Sequence, residues 1–403
     1  MVGLFGGLAL FGALLASAPP GGLGSAGWGV LCVALLMTVF WFTEAIPVTL
    51  TAVLPFVLFP LLGVQTSAEV AGSYFSPVLF LVLGGFFLAL AMEKWGLHRR
   101  VALMALGRAR GGAGAILLAV MASTALVSGF VTNSAATLAM LPVALAIVAA
   151  AEQTGGGAEQ AAEHRRFGQA MVMGVAYGST MGGFTTIIGS PGNAAAVAIF
   201  ERVYDQTISF NTWSAFGVPL ALLGLPLASF RLKGLDMASI RAAVGDPGRW
   251  TTPDVRLVVI LIATLAAWIG MPLIQRVAPA MTEAHAAILA AIAVFVIPAG
   301  GKGERASAPL LDWSETKQAP WSLLILVGGG LALAEGINAT DLSDWMQTQF
   351  AVVGSLPLAW QIVALAAVTL IVTEFVTNAA TVAAFLPASV ALSGAGQDPL
   401  ILG

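Results

Sequence analysis

No charged residue lies between Arg110 and Glu152. That run is about 40 residues long, enough for one full membrane crossing at about 20 residues or for two half-crossings. In its middle sits a polar phrase, Ser128-Gly-Phe-Val-Thr132-Asn133-Ser134-Ala-Ala-Thr137. Hydroxyls, a glycine and a carboxamide at mid-depth cost free energy in lipid unless they face protein or a cavity. The phrase returns as Thr373-Glu374-Phe-Val-Thr377-Asn378-Ala379-Ala-Thr381. Both copies read Val-Thr-Asn and run into Leu-Pro, at Leu141-Pro142 and Leu386-Pro387. We read them as the tips of two re-entrant helical hairpins that meet to form a ligand site.

Composition fixes the class. The chain is 58% hydrophobic and only 9% charged, against about 25% charged residues in soluble domains. It reads as an all-α polytopic membrane protein. A net charge of -3 gives no basic footprint for nucleic acid. The single cysteine, Cys32, lies in an apolar stretch and reads as a packed thiol. His98, His164 and His285 lack metal-ligand spacing. Met1 to Ala18 is apolar without a basic start, so it reads as a first membrane segment rather than a cleaved signal peptide.

Apolar segments are expected at 2–18, 28–42, 47–64 and 78–92, then in a hairpin over 113–151. They continue at 168–200, 212–230, 256–275, 284–299 and 321–336, and end in a second hairpin over 355–393. Lys94 to Arg110 reads as an interfacial amphipathic helix, and 152–167 as a flexible loop. With the N-terminus in the cytoplasm and both hairpins re-entering without crossing, the joints 93–112, 152–167, 231–256 and 300–320 share one side. They hold 15 of the 17 Lys and Arg, the bias expected of cytoplasmic loops in a cell inner membrane. Full crossing by both hairpins would dissolve that sorting.

An internal repeat points the same way. Leu81-Val-Leu-Gly-Gly-Phe-Phe-Leu-Ala-Leu-Ala resembles Leu324-Ile-Leu-Val-Gly-Gly-Gly-Leu-Ala-Leu-Ala, and Thr43-Glu44-Ala45 returns as Thr282-Glu283-Ala284. The order is conserved in both halves, which point in opposite directions under this topology. Inverted repeats of this kind build secondary transporters that bind at the midplane of broken helices. A third polar interruption, Ile188-Gly189-Ser190-Pro191-Gly192-Asn193, supplies such a break. It frees backbone carbonyls and N–H groups. The carbonyls suit Na⁺, and the half-helix N-termini suit an anion. A simple kink or close packing through small residues is the alternative. Glu44 and Glu283 read as N-terminal helix caps, with a proton-relay role as the alternative. Glu93 and Glu335 read as interfacial.

These motifs resemble the divalent-anion/sodium symporters, the family of dicarboxylate, citrate and sulfate transporters. That family carries a Ser-Asn-Thr signature at each hairpin tip, matched by Thr132-Asn133-Ser134 and Thr377-Asn378-Ala379. Its Thr-Pro-Pro-Asn-like signature is matched by Ser190-Pro191-Gly192-Asn193, and its early Trp-x-Thr-Glu-Ala-x-Pro stretch by Trp41-Phe-Thr-Glu-Ala-Ile-Pro47. The resemblance covers about residue 28 to the end and implies an elevator-type transporter fold and a homodimer. Co-transported Na⁺ would be held by Ser128, Thr132, Asn133, Gly189 and Asn193 at one site, and by Thr373, Val376 and Asn378 at another. No organic cofactor is implied. The anion would be met by Asn133, Ser134, Thr137, Ser190, Pro191, Asn378 and Ala379.

On this reading 1–110 holds the scaffold helices and interfacial helix of the first repeat, and 111–200 its transport hairpin and broken helix. Residues 201–255 form a helix and linker, 256–350 the second scaffold part, and 351–403 the second hairpin. Three departures stand out. Each tip begins with Thr where the family has Ser. Ala379 replaces a hydroxyl and so removes one donor to the anion. The second broken helix would fall about 57 residues beyond Asn378, past Gly403, so the chain is expected to be a fragment.

Neither tip holds a Lys, Arg or His, and Glu374 is the one ionisable side chain there. A dianion at mid-membrane needs positive charge, and helix dipoles give about half a charge per end. Mobile cations are the natural remainder. The charge balance points to cation coupling, and with the resemblance the expected activity is Na⁺-coupled movement of a small divalent anion, a C4-dicarboxylate such as succinate. A sodium-independent exchanger or a sulfate or citrate carrier is the alternative. A Na⁺/H⁺ antiporter or arsenite-type permease would share the hairpins but want an aspartate at a tip. Enzyme readings lack a nucleophile set, a nucleotide loop or a metal cluster.

Overall fold

The computed structural model describes residues 1–108, 112–152, 158–227, 248–300, 307–319, 321–349 and 356–374, together with 378, 381, 382, 385 and 386. Among the described residues the regular structure is helical, apart from one isolated bridge between Pro298 and Pro309. The helices are α1 (Val2–Ala16), α2 (Ser25–Thr43), α3 (Val48–Thr51), α4 (Leu54–Leu61), α5 (Ser67–Ser73) and α6 (Pro77–Lys94). Then come α7 (Leu97–Arg108), α8 (Ala113–Ser128), α9 (Asn133–Glu152), α10 (Ala158–Gly183), α11 (Pro191–Tyr204) and α12 (Phe210–Leu227). The last are α13 (Thr252–Ile269), α14 (Met271–Ile274), α15 (Glu283–Val296), α16 (Trp321–Asn338), α17 (Leu342–Gln349) and α18 (Leu358–Thr373).

Five of these, α2, α6, α9, α13 and α16, are long and apolar enough to cross a membrane. Each has 18 to 20 residues, about the length a bilayer core requires. α1, α8, α15 and α18 are shorter apolar helices. The chain is a polytopic membrane protein.

The expected segment 47–64 is divided. Pro55, at the start of α4, has no N–H to continue the turn from α3, so the chain restarts there. The expected hairpin 113–151 has arms α8 and α9, joined by 129–132. The second arm has 20 residues, enough to span by itself. The expected loop 152–167 is corrected in part: α10 begins at Ala158. Its Ala- and Glu-rich start favours helix despite its polarity, and Phe167 is fully buried.

Glu44 is also corrected. It terminates α2 in the left-handed conformation, φ 45°, rather than opening a helix. Its copy does open one: Glu283 begins α15 behind Thr282, and its carboxylate accepts the Phe210 N–H at 2.8 Å. The two Thr-Glu-Ala phrases thus end one helix and start another.

The chain divides into two units. The first comprises 1–80, 194–208 and 320–403. In it α16 lays Gly328 against Tyr74 and Gly329 against Ala52, so close that a Cβ on either would overlap its neighbour. Glu335 joins Arg202 in an ion pair and accepts the Ser73 hydroxyl at 2.7 Å.

The second unit comprises 81–193 and 209–319. There α6 lays Gly84 on Ala287 of α15, where a Cβ would stand 2.6 Å from the Ala287 carbonyl. Arg100 of α7 reaches the buried carboxylate of Asp254 at 3.2 Å and the Arg249 carbonyl at 2.8 Å. α8, α9 and α10 share a core that includes Leu117, Met121, Met140, Ile147, Phe167 and Met171.

Candidate functional site

The first hairpin turn is built by capping. α8 ends at Ser128, and Gly129 follows as its C-cap. The Thr132 carbonyl accepts the Ala136 N–H at 2.9 Å, and its hydroxyl accepts the Ala135 N–H at 3.3 Å, so Thr132 opens α9. Asn133 is the first residue of α9. Ser134 is exposed and Thr137 half-buried.

What stands against this turn is the end of α10. Gly174, Gly178 and Gly182 recur every four residues, a spacing that lets two helices approach closely. A Cβ on Gly178 would lie 2.6 Å from the Met121 carbonyl, and one on Gly182 would overlap the Ala125 carbonyl. The close approach carries the next residues of α10 onto the tip. The Ser128 hydroxyl, fully buried, lies 2.6 Å from the Ser179 carbonyl and 2.9 Å from Asn133 Oδ1. A serine hydroxyl has one proton, so these three oxygens cannot all be satisfied by one another. Thr137 donates to Ser179 Oγ at 2.9 Å, and the Ser179 hydroxyl donates in turn to the Ala176 carbonyl at 2.9 Å.

The helix break follows directly. α10 stops at Gly183, a 3-10 turn covers Ile187–Gly189, and Pro191 opens α11 at a position where its missing N–H costs nothing. A Cβ on Gly183 would overlap Asn133 Oδ1. A Cβ on Gly189 would stand 2.8 Å from the Gly183 carbonyl and 2.9 Å from the Ser128 carbonyl. Ser190 is extended and half-buried. Asn193 is buried, and its Nδ2 donates to the Gly183 carbonyl at 2.7 Å and the Thr186 carbonyl at 2.9 Å. Its amide protons therefore hold the break together, which leaves Oδ1 as its one possible ligand atom.

Ser128, Asn133, Gly189 and Asn193 thus fall in one place around Gly183, with Thr132, Ser190 and Pro191 next to them in the chain. Residues 128–137 and 183–193 contain no ionisable side chain. The surroundings are neutral oxygens and the N-terminal ends of α9 and α11, where unpaired N–H groups favour an anion. Hard neutral oxygens at this spacing suit a cation with little preference for geometry.

The second tip belongs to the other unit. Thr373 ends α18, half-buried, and its hydroxyl bonds back to the Leu370 carbonyl at 3.0 Å. Glu374 and Asn378 are exposed. Val376, Thr377 and Ala379 lie outside the described residues.

Ser179, Gly183 and Thr186 were not singled out from the sequence. The signal for them was present in the four-residue glycine spacing, which announces that α10 meets another helix closely just before the break. Among the described residues no group of three His, Cys, Asp or Glu could hold a metal ion.

Comparison with known proteins gives concordant matches. The profile of the citrate transporter family matches residues 38–402. The sodium-dependent dicarboxylate transporter SdcS of Staphylococcus saprophyticus is 32% identical over 417 residues, taking in 100% of this chain and 80% of that protein. The transporters of the same name from Staphylococcus aureus strains bovine RF122 / ET3-1 and MSSA476 are each 33% identical, with the same shares covered.

Proposed function

The chain belongs to the divalent-anion/sodium symporter family of citrate and dicarboxylate transporters, and we propose how its residues carry that activity. It is a secondary active transporter, not an enzyme. It moves a small divalent anion, a C4-dicarboxylate such as succinate, coupled to Na⁺. The observation that carries the residue assignment is the corner formed by Ser128 Oγ, Asn133 Oδ1 and the Ser179 carbonyl, the last two within 2.9 Å of the serine hydroxyl.

A Na⁺ ion entering this corner takes the Ser128 and Asn133 oxygens and the carbonyl side of Gly189 as ligands. The Ser128 proton turns to whichever acceptor the ion leaves. Thr132 and Asn193 Oδ1 complete the set. The anion sits against the N-terminal ends of α9 and α11, where Ser134, Thr137, Ser190 and Pro191 line its approach. Charge explains the coupling. No fixed cation lies in 128–137 or 183–193, so a dianion there is neutralised by Na⁺ and helix dipoles together.

Thr373, Val376 and Asn378 take the second Na⁺, and Asn378 and Ala379 are further contacts of the anion. Residues 111–200 and 351–403 form the moving parts, with 1–110, 201–255 and 256–350 in support, in an elevator motion within a homodimer. The protein lies in the bilayer of the cell inner membrane, N-terminus cytoplasmic. The inverted repeat is supported by an exchange of partners. Gly84, in the first copy of the Leu-rich phrase, packs on the helix that follows the second Thr-Glu-Ala. Gly329, in the second copy, packs on Ala52, which follows the first.

The test is radiolabelled succinate uptake into proteoliposomes, with an inward Na⁺ gradient or with choline in its place. Uptake driven by Na⁺ is expected. Uptake indifferent to Na⁺, but requiring dicarboxylate inside, would make the protein an exchanger and overturn the cation assignments.

A further inference from the structure

Thr186 belongs to neither the tip phrase nor the Gly189–Asn193 phrase, yet its side chain joins the two. It precedes the 3-10 turn in extended conformation, φ -139°, ψ 160°. Its hydroxyl donates to the Gly129 carbonyl in the hairpin turn and accepts the Gly189 N–H at 3.1 Å. Its own carbonyl accepts from Asn193 Nδ2 at 2.9 Å. The residue is 6% exposed. A threonine hydroxyl has one proton and two lone pairs, so donor and acceptor roles are filled without competition.

Gly129 directly follows Ser128, and Gly189 lies so near the Ser128 carbonyl that a Cβ on it would stand 2.9 Å away. One buried hydroxyl therefore ties the hairpin turn to the broken helix, beside the glycine packing that brings them together. Removing it would leave the buried Gly129 carbonyl short of a donor, while the Gly189 N–H would keep only its longer bond to the Thr186 carbonyl at 3.3 Å.

We infer that Thr186 is a positioning residue for the cation half of the site; the inference rests on the cation site proposed above. Its hydroxyl holds the turn and the break at the spacing where Ser128, Asn133 and Gly189 serve one Na⁺, without touching the ion itself. Its loss should change how much Na⁺ is needed rather than how fast the loaded carrier moves.

The experiment is the Na⁺ dependence of succinate uptake in proteoliposomes for Thr186→Val, which keeps the shape and removes the hydroxyl, and for Thr186→Ser, which keeps the hydroxyl. Thr186→Val should raise the half-saturating Na⁺ concentration about tenfold, with maximal uptake at saturating Na⁺ within about twofold of wild type. Thr186→Ser should restore wild-type dependence. A second readout needs no transport: protection of the purified protein against heat by added Na⁺ should require about tenfold more Na⁺ in Thr186→Val.

An unchanged half-saturation in Thr186→Val would overturn the inference. So would an equal shift in Thr186→Ser, or a fall in maximal uptake with Na⁺ dependence intact. Should Thr186→Val not reach the membrane, Thr186→Ser decides alone, since the hydroxyl by itself must support wild-type dependence. If wild-type uptake proves indifferent to Na⁺, the transport reading is what fails, and heat protection by Na⁺ still tests Thr186.

Discussion

The two Thr-Asn tips share their wording and differ in their surroundings. At the first, Ser128 is fully buried and faces two further oxygens, one of them from another helix. At the second, the hydroxyl of Thr373 turns back on its own helix at Leu370, and Asn378 is exposed. The difference lies in the neighbours. Gly174, Gly178 and Gly182 bring α10 against α8 closely enough to set the Ser179 carbonyl and the Gly183 backbone on the first tip. A tip phrase supplies ligand atoms, while a small-residue helix face beside it turns them into a site.

The largest expected effect tests whether both tips serve one anion. Asn133→Ala should reduce uptake about a hundredfold with membrane insertion intact, the loss expected when a half-buried carboxamide beside a charged ligand is removed. Asn378→Ala should also abolish uptake if the tips share the substrate. Normal uptake in Asn378→Ala beside a dead Asn133→Ala would confine the site to the first tip, and normal uptake in both would remove the assignment altogether.

Next comes the packing that distinguishes the first tip. Gly183→Ala drives a methyl into Asn133 Oδ1. Overpacking of this kind costs about 1–3 kcal/mol, so uptake should fall about tenfold or more and the melting temperature should drop. Wild-type values for both would show that the tip and α10 are not held in contact.

A smaller contrast compares the two hydroxyls directly. Ser128→Ala should raise the Na⁺ concentration for half-maximal uptake about tenfold, and Thr373→Val by no more than about threefold. Equal shifts would mean that the second tip closes around a cation as tightly as the first.

The smallest effect separates acid sensitivity of the fold from that of the tips. No titratable group lies in the first tip or the break, while the second tip holds Glu374. Away from both, burial pushes the imidazole of His98 below its ordinary value. The folded state therefore prefers the neutral ring. Stability is full above the unfolded value of about 6.5 and falls as the pH drops below it. Melting temperatures measured between about pH 7 and 5 should decline, and His98→Gln should flatten that decline. An unaltered slope would assign the acid sensitivity elsewhere.

Much of the fold was legible because lipid permits few solutions. A run of apolar residues long enough to cross must satisfy its own backbone, so helix positions followed from hydropathy. Pro191 with its flanking glycines announced the break for the same reason. The misreadings came where local words have two uses. Thr43-Glu44-Ala45 ends a helix and Thr282-Glu283-Ala284 begins one, and only the chain on either side separates the two. Residues 158–167 looked like loop by polarity, but their helix propensity and the burial of Phe167 prevailed. Asn193 has a second role that the sequence did not announce: its amide protons hold the freed carbonyls of the break, and its Oδ1 remains for the expected ion.

By itself the sequence determined the membrane class, the helix-forming segments among the described residues, and the polar phrase and break that interrupt α8 to α11. These follow from the cost of unpaired polar atoms in lipid, a cost set residue by residue. The tertiary structure alone decided which oxygens converge. Ser128 meets Ser179 across 51 positions, and Thr186 meets Gly129 across 57. The four-residue glycine spacing announces that α10 meets a helix closely but not which one, and the partner lies many residues away, so neither pair could be read locally.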